Sequence, residues 1–272
     1  MTAPRIGLVL SPVAQWAPIV EAAKAADELG FEAIGFWDHY HADPPEWAYI
    51  CGWSAYGALA AQTSRVRLVP MVLNNLHYDV GVLAKESSVL ALASGGRFEL
   101  GIGAGDWPAS FTAWGQPFPD AQSRIARLEE TVRALREIWT GKQVTFQGEH
   151  VRLTKAASTP APPEPPRIVV GTGPSGRMID RAVDFADELN VYAEEHLLDS
   201  ARAAIERSGR PVGLSTYLDW SWGAWPEDHE AELARLGDRF DRVFISIGGD
   251  DMPGRVRLVA KARRAAAGDQ TV

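Results

Sequence analysis

A single cysteine, Cys51, occurs in 272 residues. That excludes an internal disulfide and any thiolate metal cage, and it suits a reducing compartment. Positive charge is also scarce: 27 Lys and Arg against 35 Asp and Glu leave a formal net charge of −8. Nucleic acid and an anionic membrane surface are therefore poor main partners, although a negative total still permits a local basic pocket for a phosphate. Long apolar runs are missing as well. Ile6–Leu10 is too short for the core of a signal peptide and is soon followed by Pro12. The longest uncharged stretch, Trp47 to Ser64, contains Gly52, Ser54, Gly57 and Gln62. It lies at the short end of the roughly 17–25 residues a membrane span needs, and it reads as a buried helix. A cytoplasmic protein with no membrane partner is the expectation.

What is present is ordinary for a globular chain, with 46% hydrophobic and 23% charged residues. The length suffices for one α/β barrel or two small domains. Short apolar strands alternate with amphipathic helices throughout. Ile6–Leu10, Phe31–Trp37, Val66–Leu73 and Phe98–Gly103 read as strands one to four. Helix four repeats Ile125, Leu128, Val132, Leu135 and Ile138 on one stripe. Val144–Phe146 and His150–Leu153 flank Gly148 as a small hairpin, and Pro160 to Pro166, with five prolines in seven residues, is extended. The alternation then resumes with strands Arg167–Val170, Leu189–Tyr192, Val212–Leu218 and Arg242–Ile247, and with helices Arg177–Ala186, Leu198–Ser208, Glu227–Leu236 and Gly254–Ala266. Eight strand–helix units predict an α/β fold, a (β/α)8 TIM barrel over residues 1–272, with an insertion of about 141–166 after the fourth unit. Two Rossmann-like halves are the alternative.

In such a barrel the active site lies at the C-terminal ends of the strands. Strand four, in Arg97–Asp106, places glycines at every second position, which leaves one face bare for a flat ligand or for tight packing. It ends in Gly105-Asp106-Trp107, while strand two ends in Trp37-Asp38-His39-Tyr40-His41 and strand three in Asn74-Asn75. Strand seven ends in Trp220-Ser221-Trp222 with Trp225 close behind, residues that either wall a pocket or pack under a loop. Gly171-Thr172-Gly173-Pro174-Ser175-Gly176 fits G-x-G-x-x-G between a strand and a helix, and its open backbone N–H groups suit an anion. A Rossmann site would use Glu194 or Glu195 for a ribose; the position in the fifth unit favours a barrel phosphate site. His39-x-His41 permits a metal, as in amidohydrolase-type enzymes, or a general acid–base in His39 beside Asp38. His77, His150, His196 and His229 supply no further ligands at strand ends, so no metal is expected.

With those residues in place, the chain resembles the luciferase-like family of flavin- and deazaflavin-dependent oxidoreductases. The resemblance covers about residues 5–192. It rests on FWDHYH at 36–41, TSRVRLVPMV at 63–72, LAKESSVLALASGGRFELGIGAGD at 83–106, FTAWG at 111–115, RIARLEETVRALREIWTG at 124–141 and PPRIVVGTGP at 165–174. It implies a barrel with an insertion, and FMN or coenzyme F420 in the barrel mouth. It implies further that His39 and Asp106 are catalytic, with Asp106 standing where some F420 enzymes carry Glu. Cofactor contacts are implied for Asp38, Met71, Val72, Asn74, Gly105, Gly171, Thr172 and Gly173, with a cis peptide at Met71-Val72. Trp107, Trp220 and Trp222 are the expected substrate walls. Asp38-His39 tilts the reading to F420-dependent hydride transfer on a small organic substrate. An FMN monooxygenase and a metal-dependent hydrolase on the same barrel remain alternatives. A homodimer is expected, mainly from the resemblance and in part from the glycine-spaced helix within Trp53–Gln62.

Overall fold

The computed structural model describes residues 5–11, 15–44, 49–221, 225–237 and 239–267. In chain order the elements are β1 (Arg5–Leu10), α1 (Trp16–Glu28), β2 (Ala33–Gly35), α2 (Trp53–Ala60), β3 (Arg67–Leu68), β4 (Leu73–Asn74) and α3 (Val80–Ala93). Then come β5 (Leu100–Gly103), α4 (Pro108–Ala113), α5 (Ala121–Ile138), β6 (Val144–Gln147), β7 (Arg152–Ala156), β8 (Ile168–Gly171) and α6 (Ile179–Ala182). The chain continues through β9 (Glu188–Tyr192), α7 (Glu195–Ser208), β10 (Gly213–Asp219), α8 (His229–Gly237), β11 (Arg242–Ile247) and α9 (Met252–Ala266). The large sheet runs β3-β2-β1-β11-β10-β9-β8-β5-β4, with every pairing parallel. Its two ends, β3 and β4, are halves of one strand, and Leu68 bridges Phe98 beside β5. The sheet therefore closes into an eight-unit barrel. The antiparallel β6–β7 hairpin follows α5 as the insertion, and the Glu130 carboxylate accepts the backbone N–H groups of Glu149, His150 and Val151 at 3.0, 2.8 and 2.8 Å.

Hydrophobic alternation explains the layers. Ile6, Leu8 and Leu10 of β1 join the core between strands and helices, which α5 completes with Leu128, Val132, Leu135 and Ile138. Val9, Ala33, Val69, Val169 and Phe244 form a second cluster on the opposite strand faces, inside the barrel. Phe244 fills that interior so closely that a Cβ on Gly7 would lie 2.6 Å from its ring. Below it, at the N-terminal strand ends, Arg242 is paired with Glu99 at 2.5 Å and with Glu188 at 2.9 Å, all three at most 3% exposed. Ions thus plug the bottom, apolar side chains fill the middle, and the open end is left for a site.

Three expectations need correction. The apolar pattern predicts a continuous strand three from Val66 to Leu73; it breaks between Leu68 and Leu73, while the Met71–Val72 peptide is cis as the resemblance implies. Alternate glycines in strand four open space for this break rather than for a ligand alone. A Cβ on Gly101 would overlap the Pro70 carbonyl, one on Gly35 of β2 would overlap the Val69 carbonyl, and one on Gly103 would sit 2.8 Å from Val72 Cγ2. The helix read over Arg177–Ala186 is only Ile179–Ala182, because the bonds Arg181 N–H to Met178, Asp184 N–H to Arg181 and Phe185 N–H to Ala182 wind tighter turns around it. Gly103→Ala is expected to displace Val72 and cost about 1–3 kcal/mol. Urea unfolding checks this, and an unchanged midpoint would show that the bulge yields freely.

Candidate active site

At the C-terminal mouth the strand ends enclose a cavity of about 780 Å³. Each expected cofactor position lines it: Asp38 after β2, Met71 and Val72 in the break, Asn74 of β4, Gly105 after β5, and Gly171, Thr172 and Gly173 at the end of β8. His39 and Asp106 line it as well. Val72 is the apolar floor, since Cβ atoms placed on Gly103 and Gly171 would meet its methyls at 2.8 and 3.0 Å.

Asp38 is 4% exposed and accepts hydrogen bonds from the Asn74 N–H and the Tyr78 hydroxyl, each at 2.9 Å. The Tyr78 and Tyr40 hydroxyls are in turn 2.5 Å apart. Burial pushes the Asp38 carboxyl up to about 6 from 3.8, against the lowering effect of those two bonds. Burial and the Asp38 charge also push the Cys51 thiol up to about 12, so this thiol is a structural neighbour that donates to the His39 carbonyl at 3.3 Å. The sign of the pH effect follows. An acid whose folded pKa lies above its unfolded value stabilises the fold most when protonated, so that contribution is full below pH 3.8 and lost as pH rises through about 6. Asp38→Asn is expected to flatten the stability–pH curve across this window, by an amount on the order of 3 kcal/mol. Urea midpoints at several pH values check it; parallel curves for the two proteins would contradict it.

His39 stands with its ring edge-on to Trp107 and Tyr49, at centroid distances of 5.2 and 5.5 Å. Burial lowers its pKa from 6.5, and the Asp106 carboxylate partly offsets this. The imidazole is therefore neutral near pH 7, with a lone pair free to take a proton and a carboxylate near enough to favour holding it. Trp107, in a left-handed conformation with φ 55°, braces both His39 and His41 and is not itself part of the cavity wall.

Two arginines also line the cavity. Gly173 has φ 70°, which leaves its backbone open, and Thr172 is tied to the Asn190 carbonyl at 3.2 Å. Arg124 and Arg177 line the cavity with this loop. Arg124 lies over the Phe118 ring at 4.2 Å and donates to the Pro119 carbonyl at 2.6 Å, while its buried Nε has no partner. Beside this loop follow Tyr192 of β9 and, one strand further round, Tyr217 and Asp219 of β10. Trp37 donates to the Tyr217 hydroxyl at 2.9 Å, and Asp219 accepts from Ser246 at 2.7 Å.

Sequence reasoning missed Arg124, Arg177, Tyr49, Tyr192, Tyr217 and Asp219. A signal existed for Arg124: it follows the Asp120 N-cap by one turn, where a cation opposes the helix dipole. Trp220 is placed elsewhere than expected. It is 4% exposed and packs on Trp225 and His229 at 5.5 and 5.4 Å, so its indole serves the core under a loop and does not reach the cavity. Trp222 lies outside the described residues.

The sequence model of the luciferase-like monooxygenase family matches residues 2–269. An F420-dependent glucose-6-phosphate dehydrogenase from Nakamurella multipartita is 32% identical over 214 residues, which is 74% of this chain and 62% of that protein. This chain thus spans about three fifths of the length of that relative. Among solved structures, the monooxygenase RslO1 from Streptomyces bottropensis superposes with a TM-score of 0.76 at 19% identity, covering 95% of this chain and 98% of the other. The coenzyme F420 dependent tetrahydromethanopterin reductase from Methanopyrus kandleri gives 0.74 at 17% identity, covering 96% and 98%. At those identities the likeness is one of fold.

Proposed function

We propose a function from the premise that this chain belongs to the luciferase-like monooxygenase family: it is an F420-dependent oxidoreductase that moves hydride between the cofactor and a small organic substrate in the barrel mouth. The observation that carries this reading is the pairing of Asp38 and His39 at the end of β2, with a neutral His39 facing the cavity beside Asp106. The F420-dependent enzyme that shares 32% of its residues over 214 positions supports it.

The donor set fits the cofactor. A flat ring needs an apolar floor, which Val72 supplies between Gly103 and Gly171. An anionic tail needs backbone N–H groups and cations, which Gly171–Gly173, Arg124 and Arg177 supply, the buried Nε of Arg124 being without a partner. When bound, F420 exchanges hydride with carbon and does not readily activate oxygen. The chain's own groups do the rest. His39 takes the hydroxyl proton from an alcohol, or returns it to a carbonyl, at its imidazole nitrogen. Asp106 stabilises the imidazolium that results, and Asp38 fixes β4 against β2 through the Asn74 N–H. Tyr49 and Trp107 brace the imidazole edge-on. Anaerobic incubation with F420 and a panel of alcohols is the test: substrate-linked reduction of F420 is the expected result, and substrate-linked oxygen uptake with FMN alone would overturn it.

The same reading places two copies together. The outer side of α2 presents Ser54 and Gly57, with Ala61 just past its end, and the adjoining α3 exposes Val82, Val89 and Leu92 at 44, 46 and 41%. Small residues beside an apolar stripe admit a close helix partner. Light scattering is expected to report twice the chain's 29.6 kDa, and Val89→Glu to return it to a monomer; a wild-type monomer at micromolar concentration would contradict the homodimer. Among the described residues no helix is long and apolar enough to cross a membrane.

A further inference from the structure

Three side chains stand in line between the cavity and the outside of the barrel. Asp38 follows β2 and lines the cavity, yet it is only 4% exposed. Its Oδ2 accepts the Asn74 N–H and its Oδ1 accepts the Tyr78 hydroxyl, each at 2.9 Å. Tyr78 is 7% exposed, and its hydroxyl lies 2.5 Å from that of Tyr40. Tyr40 is 42% exposed, and its hydroxyl borders a gap. Apart from its chain neighbours, a Cβ on Gly52 would meet nothing nearer than that oxygen, at 3.9 Å.

Local structure builds this line. Asp38 and Tyr40 are alternate residues of the segment after β2. Tyr78 is brought to them by the turn after β4, where the Leu76 N–H bonds Asn74 Oδ1 and the His77 N–H bonds the Asn74 carbonyl, both at 3.0 Å. The Tyr40 ring lies on His77 at 4.7 Å, and His77 is stacked on Phe111 at 4.8 Å. Arg127 of α5 bonds the Tyr78 carbonyl at 3.1 Å. Both phenols are thereby held with their oxygens in contact.

The geometry points to a proton relay: Asp38, Tyr78 and Tyr40 carry protons between the barrel mouth and the exterior, in addition to the proton held by His39. The relay rests on the proposed hydride transfer in the mouth, which releases a proton in alcohol oxidation and consumes one in carbonyl reduction. Inward, the Tyr78 proton passes to Asp38 Oδ1, the Tyr40 proton to the Tyr78 oxygen, and a proton from a solvent acid to the Tyr40 oxygen. Outward, the moves reverse. Each phenol oxygen breaks one O–H bond as it forms another, and no phenolate is left. The transfer has to be concerted in this way, because burial and the Asp38 charge push the Tyr40 phenol up to about 12 and the Tyr78 phenol far higher. The carboxyl holds the proton near neutrality, burial having pushed it up to about 6.

Other groups near Asp38 offer no exit. Burial and the Asp38 charge push the Cys51 thiol up to about 12, and burial pushes the Tyr56 phenol well up, its oxygen accepting the Phe36 N–H at 2.8 Å. Among the described residues no lysine or arginine pairs with Asp38.

The test follows the infrared band of the protonated Asp38 carboxyl, identified by its loss in Asp38→Asn, after a laser-induced pH jump across about 6. The protein is used as isolated, with whatever cofactor it retains. Tyr40→Phe touches neither carboxylate oxygen, so the band's titration midpoint should stay while its relaxation slows at least about tenfold. Tyr78→Phe should slow it as well and also raise the midpoint, because it removes a donor to the ionised carboxylate. A merely structural Tyr78 would move the midpoint alone. Relaxation of Tyr40→Phe at the wild-type rate, or no Asp38 band on the acid side of the jump, would overturn the relay. The readout does not depend on which cofactor is bound, so failure of F420 to bind would sink the cofactor assignment and leave this result standing.

Discussion

His39→Ala is expected to slow single-turnover hydride transfer by about 10²- to 10⁴-fold, the usual worth of a positioned acid–base group. Cofactor affinity should stay within about tenfold of the wild type, because the residue touches the transferred proton and not the cofactor's tail. The pH dependence sharpens the test. Burial holds the His39 pKa below 6.5, and Asp106 partly raises it back. Alcohol oxidation needs the neutral imidazole, so its rate should be flat above pH 6.5 and fall only below. Removing the opposing charge with Asp106→Asn should push the His39 pKa down further and move that acid limb to lower pH. Stopped-flow measurements across pH check all three statements. A His39→Ala rate equal to wild type would make this residue a structural one.

Arg242→Met is expected to destabilise the protein by about 3–5 kcal/mol, the cost of leaving buried carboxylates without their partner. Arg242 sits at the floor of the barrel, 2% exposed, with its guanidinium divided between Glu99 and Glu188 and lying 4.8 Å from the Phe244 ring. Glu99 and Glu188 keep Arg67 and Arg167 at 3.0 and 3.1 Å, but those side chains are 40 and 43% exposed and well solvated. Neutralising the whole cluster, as Arg242→Met with Glu99→Gln and Glu188→Gln, should recover much of the loss, since a buried ion cluster is costly to break and close to neutral to replace entirely. Urea unfolding of the three proteins decides the matter. A single variant within about 1 kcal/mol of wild type would show the cluster to be a bystander.

The barrel was readable in the sequence because its information is local. Most of the eight strands and eight helices announce themselves by period, the broken strand three and the four-residue α6 excepted, and Pro160–Pro166 marks the insertion by what it cannot form. The break in strand three was not readable in this way. VRLVPMV is apolar except at Arg67, and room for the Val69 and Pro70 carbonyls is made by Gly35 and Gly101 on the two neighbouring strands. Only the three-dimensional pairing brings those glycines together. The same non-locality left two readings of strand four open: Gly101 and Gly103 make room for the Pro70 carbonyl and Val72, while Gly103 and Gly105 also line the cavity. His39, Asp106 and the Gly171–Gly173 turn were findable because they end strands. Tyr192, Tyr217 and Asp219 also end strands, yet the C-terminal ends of β9 and β10 carry no glycine or histidine to draw notice. Trp220 drew notice by its size, and size is equally what a core requires.

The most direct measurement is a titration of the apo-protein with F420 and, separately, with FMN, followed by quenching of its ten tryptophans. Trp37 lies in the cavity wall, so occupancy of the barrel mouth reaches the signal. Saturable quenching by F420, at least about tenfold tighter than by FMN and weakened by Arg124→Ala, is the predicted result. Tight saturation by FMN with none by F420 would contradict the proposed function.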